Sequence, residues 1–152
     1  MLAYAAFFFA VFVTAVIVFL QVQTQELTRA ENAYAQEIAY GFADSVHTAF
    51  VAGPGFVESV GVPRDIFGKR YLLLVSISSD ASEKETGIAY VNWESAGRNS
   101  SFSAPTVTAS YIHTTSNMVT SSASGKFIVI DPMNGSILNI SNVGGTIKIE
   151  KG

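Results

Sequence analysis

The chain has 152 residues, 49% hydrophobic and 14% charged, and its 9 basic and 12 acidic side chains give a formal net charge of −3. That length suits one helical segment and one compact domain rather than two separate cores. Neither sign of charge forms a block, so nucleic acid finds no basic stripe, and the absence of cysteine removes disulfides, thiolate nucleophiles and cysteine-based metal sites.

The apolar excess is local. No charged residue precedes Glu26, and Leu2 to Leu20 is an unbroken uncharged run. A helix needs roughly 20 such residues to cross a hydrocarbon core. A buried soluble helix shows a polar face, whereas this run is apolar all round. A cleavable secretory signal carries a basic segment ahead of a shorter apolar one, and no Lys or Arg stands upstream here. The run is therefore expected to open a mature chain from which a basic leader has been removed.

The helix is expected to continue. From Gln21 to Ala52 there is no proline and a single glycine, Gly41. Leu27, Tyr34, Ile38, Phe42, Val46 and Phe50 recur mostly four residues apart, with Ala30 and Ala49 on the same side, and are the candidate helix-to-head contacts. Gln25, Glu26, Arg29, Glu31, Gln36, Glu37 and Asp44 supply a polar face. Gly53-Pro54-Gly55 ends the helix, because glycine accepts the left-handed C-terminal position and proline forbids continuation. The domain division is 1–53 (1–20 hydrophobic, 21–53 amphipathic) and 54–152.

Beyond the break the period changes to two. Strands are expected at Phe56–Val62, Lys69–Ser78, Gly87–Trp93, Thr106–Thr114, Phe127–Ile130, Ile137–Ile140 and Thr146–Glu150, with Ile137–Ile140 paired to the strand before it. A charged hairpin is expected over 79–86. Lys69–Ser78 has apolar residues on both faces and is expected to be covered on both. The fold class is α+β, a long N-terminal helix followed by a small antiparallel β-sandwich-like domain.

Chemistry-bearing motifs are sparse. His47 and His113 are the only histidines and have no partner motif; no phosphate loop, His-x-x-x-His pair or Gly-x-Ser-x-Gly elbow occurs. Asp80, Glu83 and Glu85, with Lys84 between, read as a solvated hairpin tip rather than a calcium loop. No catalytic residue, metal site or cofactor is expected. Tyr90, Trp93 and Tyr111 stand at strand positions and are read as core rather than as an exposed aromatic patch. Ser95 to Ser124 holds 14 Ser or Thr in 30 residues and reads as exposed strand and loop. Asn99, Asn134 and Asn139 open Asn-x-Ser sequons and are the candidate N-glycosylation sites.

The apolar N-terminal helix, its continuation AENAYAQEIAYGFADSVHTAF, the Gly-Pro-Gly break and the strand entry VPRDIFGKRYLLLVSIS together resemble an archaeal type IV pilin. The resemblance covers the whole chain in architecture and Ala30 to Ile77 in motif. It implies removal of a class III signal peptide, membrane insertion, and then assembly of identical subunits into a cell-surface filament with helices inside and β-domains outside. On that reading Leu2, Ala3, Phe7, Phe8, Val11, Phe12, Ala15, Val18 and Phe19 form the assembly core, and the filament serves adhesion or surface attachment. Bacterial type IV pilins carry glutamate at the fifth mature position; Ala5 stands here, and many archaeal relatives also lack that glutamate. The alternative is a membrane-anchored envelope protein, stator-like or receptor, that does not polymerise.

Overall fold

The structure is a computed structural model that describes residues 2–77, 86–95, 97–108, 111–114, 118–122, 125–134 and 137–152. Asp80, Glu83 and Glu85, and all of the expected hairpin but Thr86, lie outside the described residues, as do the side chains of Leu2, Ala3 and Asn134.

One helix, α1, runs from Leu2 to Ala52 without interruption through Gly41. At ~1.5 Å per residue it is about 76 Å long. It stops where Gly53 and Gly55 take positive φ values of 84° and 94° around Pro54. Among the described residues nine strands follow: β1 (Val57–Gly61), β2 (Tyr71–Ile77), β3 (Thr86–Ser95), β4 (Arg98–Thr108), β5 (Ile112–His113), β6 (Val119–Ser122), β7 (Gly125–Ile130), β8 (Ile137–Val143) and β9 (Thr146–Lys151). They form a four-stranded sheet in the order β1-β8-β9-β5 and a five-stranded sheet in the order β4-β3-β2-β7-β6. All pairings are antiparallel except β5 with β9.

The upper half of α1 touches strands of both sheets. Ala35, Ile38, Ala39, Phe42, Ala43, Val46 and Ala49 are buried at spacings of three and four. Alanines alternate with large side chains, so the helix backbone approaches the sheets closely while Phe42 and Ile38 fill the core beside Tyr71, Leu73, Val91 and Leu138. β2 is the central strand of its sheet: Tyr71, Leu73 and Val75 are buried inward and Leu72 and Leu74 half-buried on the other face.

Several expectations are corrected. Thr106–Thr114 is not one strand. β4 begins at Arg98 and pairs along its length with β3, while Ile112–His113 crosses to the other sheet beside β9. Serines obscure β4 because they contribute no apolar alternation, yet the backbone ladder requires none. Its register shifts between Thr86 and Ile88, where Gly87 is required: a Cβ there would come within 2.5 Å of both Thr106 Oγ1 and the Val107 carbonyl. β8 does not pair with β7. It lies between β1 and β9, and β7 lies between β2 and β6, a strand not anticipated from the Ser/Thr-rich sequence. Chain proximity favours a hairpin, but the inward Leu138 and Ile140 belong to the four-stranded sheet's face of the core.

Candidate functional site

Below the head, α1 projects alone. From Tyr4 to Ala30 every residue is exposed except the half-buried Thr28, and residues 2–30 correspond to about 43 Å of helix. Phe7, Phe8, Val11, Phe12, Val18 and Phe19 are between 51% and 69% exposed, and Ala15 is exposed with them. Successive residues turn by about 100°, so Phe7, Phe8 and Phe9 alone spread rings over more than half of the circumference. No single flat partner covers such a surface. The segment is long and apolar enough to cross a membrane.

The stem's threonine hydroxyls are satisfied within the helix. Thr14 Oγ1 donates to the Ala10 carbonyl at 2.8 Å, Thr24 to Leu20 at 2.9 Å and Thr28 to Thr24 at 2.9 Å. Such i−4 bonds leave no threonine hydroxyl proton of the stem unpaired in an apolar medium. Its first charges, Glu26 and Arg29, pair with each other at 2.8 Å.

Leu27, read as a head contact, is 49% exposed, and Ala30 is exposed too. The apolar period extends below the point the head reaches. Tyr34 and Phe50 are half-buried at the margins of the packed stripe, and Ile38, Phe42 and Val46 lie within it. The greater surprise is Glu31, read as part of the polar face but only 1% exposed. It marks the neck where stem becomes head. One carboxylate oxygen accepts Lys69 Nζ at 2.5 Å and the other accepts Ser95 Oγ at 2.5 Å. The buried Trp93 indole N–H is turned toward the same carboxylate, outside hydrogen-bond geometry. Burial pushes the Glu31 carboxyl up, but hydrogen bonds from Lys69 and Ser95 and the charge of Lys69 outweigh it and hold the group below the ordinary glutamate value.

The loop before β2 delivers Lys69. Gly68 N donates to Asp65 Oδ1 at 2.7 Å, Ile66 and Lys69 exchange backbone bonds, and Tyr71 Oη donates to the Pro63 carbonyl at 2.6 Å. Phe67, at φ 51°, sits against the Tyr34 ring with centroids 5.6 Å apart. At the other end of the packed helix, buried Asn142 donates from Nδ2 to the Ala49 carbonyl at 3.0 Å and accepts Gly145 N at 2.9 Å. It satisfies a helix-terminal carbonyl and the β8–β9 turn together. Neither Glu31 nor Asn142 is marked by periodicity, which assigns polar residues to the solvent.

Trp93 is 4% exposed and Tyr90 half-buried against Phe127, whereas Tyr111 is 44% exposed and meets Phe50. Asn99 is exposed just after the β3–β4 turn. Asn139 stands on the outer face of β8, and its Oδ1 accepts Ser59 Oγ at 2.8 Å. His47 is exposed and His113 half-buried. An open depression of about 700 Å³ over β2, β3 and β4 is lined by Arg70, Leu72, Asn92, Glu94, Asn99 and Ser101 among others. Arg70 there is ion-paired with Asp131. Among the described residues no three His, Asp or Glu side chains gather as metal ligands. Compared with protein-family models, curated proteins and solved structures, the chain matches none.

Proposed function

We propose that this chain is the structural subunit of an extracellular type IV pilus-like filament, inserted in a membrane before assembly and then packed through its stem with identical copies. The observation that carries the reading is the continuity of α1: apolar on every side up to Leu20, built into the head's core from Glu31 on, with no linker between. An all-round apolar helix requires cover on all sides, which lipid supplies first and neighbouring stems later. A helical polymer also requires every subunit to hold one stem-to-head angle. The buried Glu31–Lys69–Ser95 contact supports that stiffness, whereas a simple tether needs none. The β-rich head then forms the outer sheath, where Asn99 is accessible to a glycan and the surface is available for adhesion.

The test is to isolate surface filaments from the producing cells, identify their protein, and image the purified chain after detergent removal. Filaments composed of this chain are the expected result. Recovery solely as monomers from detergent-solubilised membranes overturns the proposal in favour of a lone anchor.

A further inference from the structure

A groove of about 320 Å³ runs between α1 and the loop end of β1, lined by Tyr34, Ile38, Phe42, Val60 and Val62, with Glu37 its one charged residue. Gly41 forms part of one wall and Gly61 part of the other. Neither has a positive φ, and a Cβ built on either meets no atom within 4 Å. Gly53, Gly55, Gly68, Gly97, Gly144 and Gly145 have left-handed backbones, and a Cβ on Gly87 or Gly152 would meet a close neighbour. Glycine inside a helix or strand costs roughly 0.5–1 kcal/mol relative to alanine. At positions 41 and 61 backbone geometry and internal crowding do not require it. What the two glycines do is keep one groove open.

We infer that this groove is the seat for an apolar side chain from the stem of a second copy. The inference rests on the filament reading and adds where on the head a neighbouring stem docks. Charge supports that occupant: the stem is uncharged from Leu2 to Gln25, and the groove is uncharged apart from Glu37. Size permits it too, since the volume lies at the low end of small-molecule pockets and leaves room for a ring side chain together with its neighbours on the stem. The stem offers Phe8, Phe12 and Phe19, all at least 60% exposed. Small residues let a helix backbone approach closely, and Gly41 provides that on the exposed side of α1. A stable interface buries about 800 Å² on each partner, more than a groove of nine residues offers. The groove therefore acts as one anchoring point along a contact that continues stem to stem.

The test uses the full chain, whose lack of cysteine makes engineered cysteines unambiguous. Gly41→Leu with Gly61→Leu fills the groove from both walls, and Gly41→Ala adds only a methyl group. The expected result is that Gly41→Ala assembles, that the double leucine variant keeps the wild-type thermal transition in detergent but loses sedimentable filaments, and that Gly41→Cys cross-links under mild oxidation to one of Phe8→Cys, Phe12→Cys or Phe19→Cys in mixed filaments. Assembly of wild type and of the double leucine variant alike, with no such cross-link, overturns the docking site and leaves the filament reading standing. A wild-type chain that stays monomeric after detergent removal overturns both.

Discussion

The Glu31 carboxylate and the Lys69 ammonium meet at 2.5 Å, yet only Lys69, about one-third exposed, retains contact with water. Glu31 comes from the first buried turn of α1 and Lys69 from the loop leading into β2, so the pair fixes the stem's exit direction.

Unequal burial makes the two halves of this pair unequal in mutation. Lys69→Met strands a buried carboxylate and is expected to cost about 3–5 kcal/mol. Glu31→Gln leaves a lysine that can turn to solvent and keeps an acceptor for Ser95, so its cost is expected to be about 1–2 kcal/mol. Urea unfolding of the full chain in mild detergent, at matched m-values, measures both.

Acid should loosen the same joint. A glutamate held below its ordinary value, here 4.5, contributes its full stabilisation above that value and loses it as pH falls through the lowered one. Asp131, held low first by its hydrogen bond from Arg70, adds a contribution of the same sign, though Arg70 is largely exposed and screening makes it small. The thermal midpoint is expected to fall as pH drops below about 4.5, and Glu31→Gln should flatten most of that slope.

Asn142 joins helix end to turn. Asn142→Leu leaves the Ala49 carbonyl and the Gly145 amide without their partner and is expected to cost about 1–3 kcal/mol. Asn142→Asp should be at least as damaging, because a carboxylate there presents oxygen to the Ala49 carbonyl oxygen. Differential scanning of the two variants beside wild type checks the order.

Trp93 is the single tryptophan and is 4% exposed. Its emission should be blue-shifted and resist acrylamide quenching. Because its indole faces Glu31, Glu31→Gln should shift that emission, whereas a surface change such as Glu94→Gln should not. Emission matching free tryptophan in water would contradict the packing described.

Removing residues 2–27 takes away the exposed side chains of Tyr4 to Leu27 but none of the head's buried core. The shortened chain is expected to remain monomeric without detergent, with a thermal midpoint close to that of the full chain, and to be unable to form filaments. Sedimentation velocity checks its state.

The long helix, its apolar lower half, its stop at Gly53 and the β-rich remainder are legible in the sequence. Each follows from local chemistry: hydropathy, a four-residue recurrence, a glycine beside a proline, and a period of two. The Ile38–Phe42–Val46 stripe was legible for the same reason. Local pattern does not disclose where the head ends along a helix whose period continues past it, so Leu27 looks like a contact and is bare. Nor does it separate β4 from β5, or seat β8 between β1 and β9, because strand partners are chosen by the shape of the whole core.

Hydropathy is enough to show that α1 is apolar on every side up to Leu20, since no residue before Glu26 offers a charge to water. That Glu31 is buried where the helix enters the head emerges only in the folded chain. Burial of a charge depends on donors brought from residues 69 and 95, far away in the chain, and a one-dimensional pattern holds no record of that meeting.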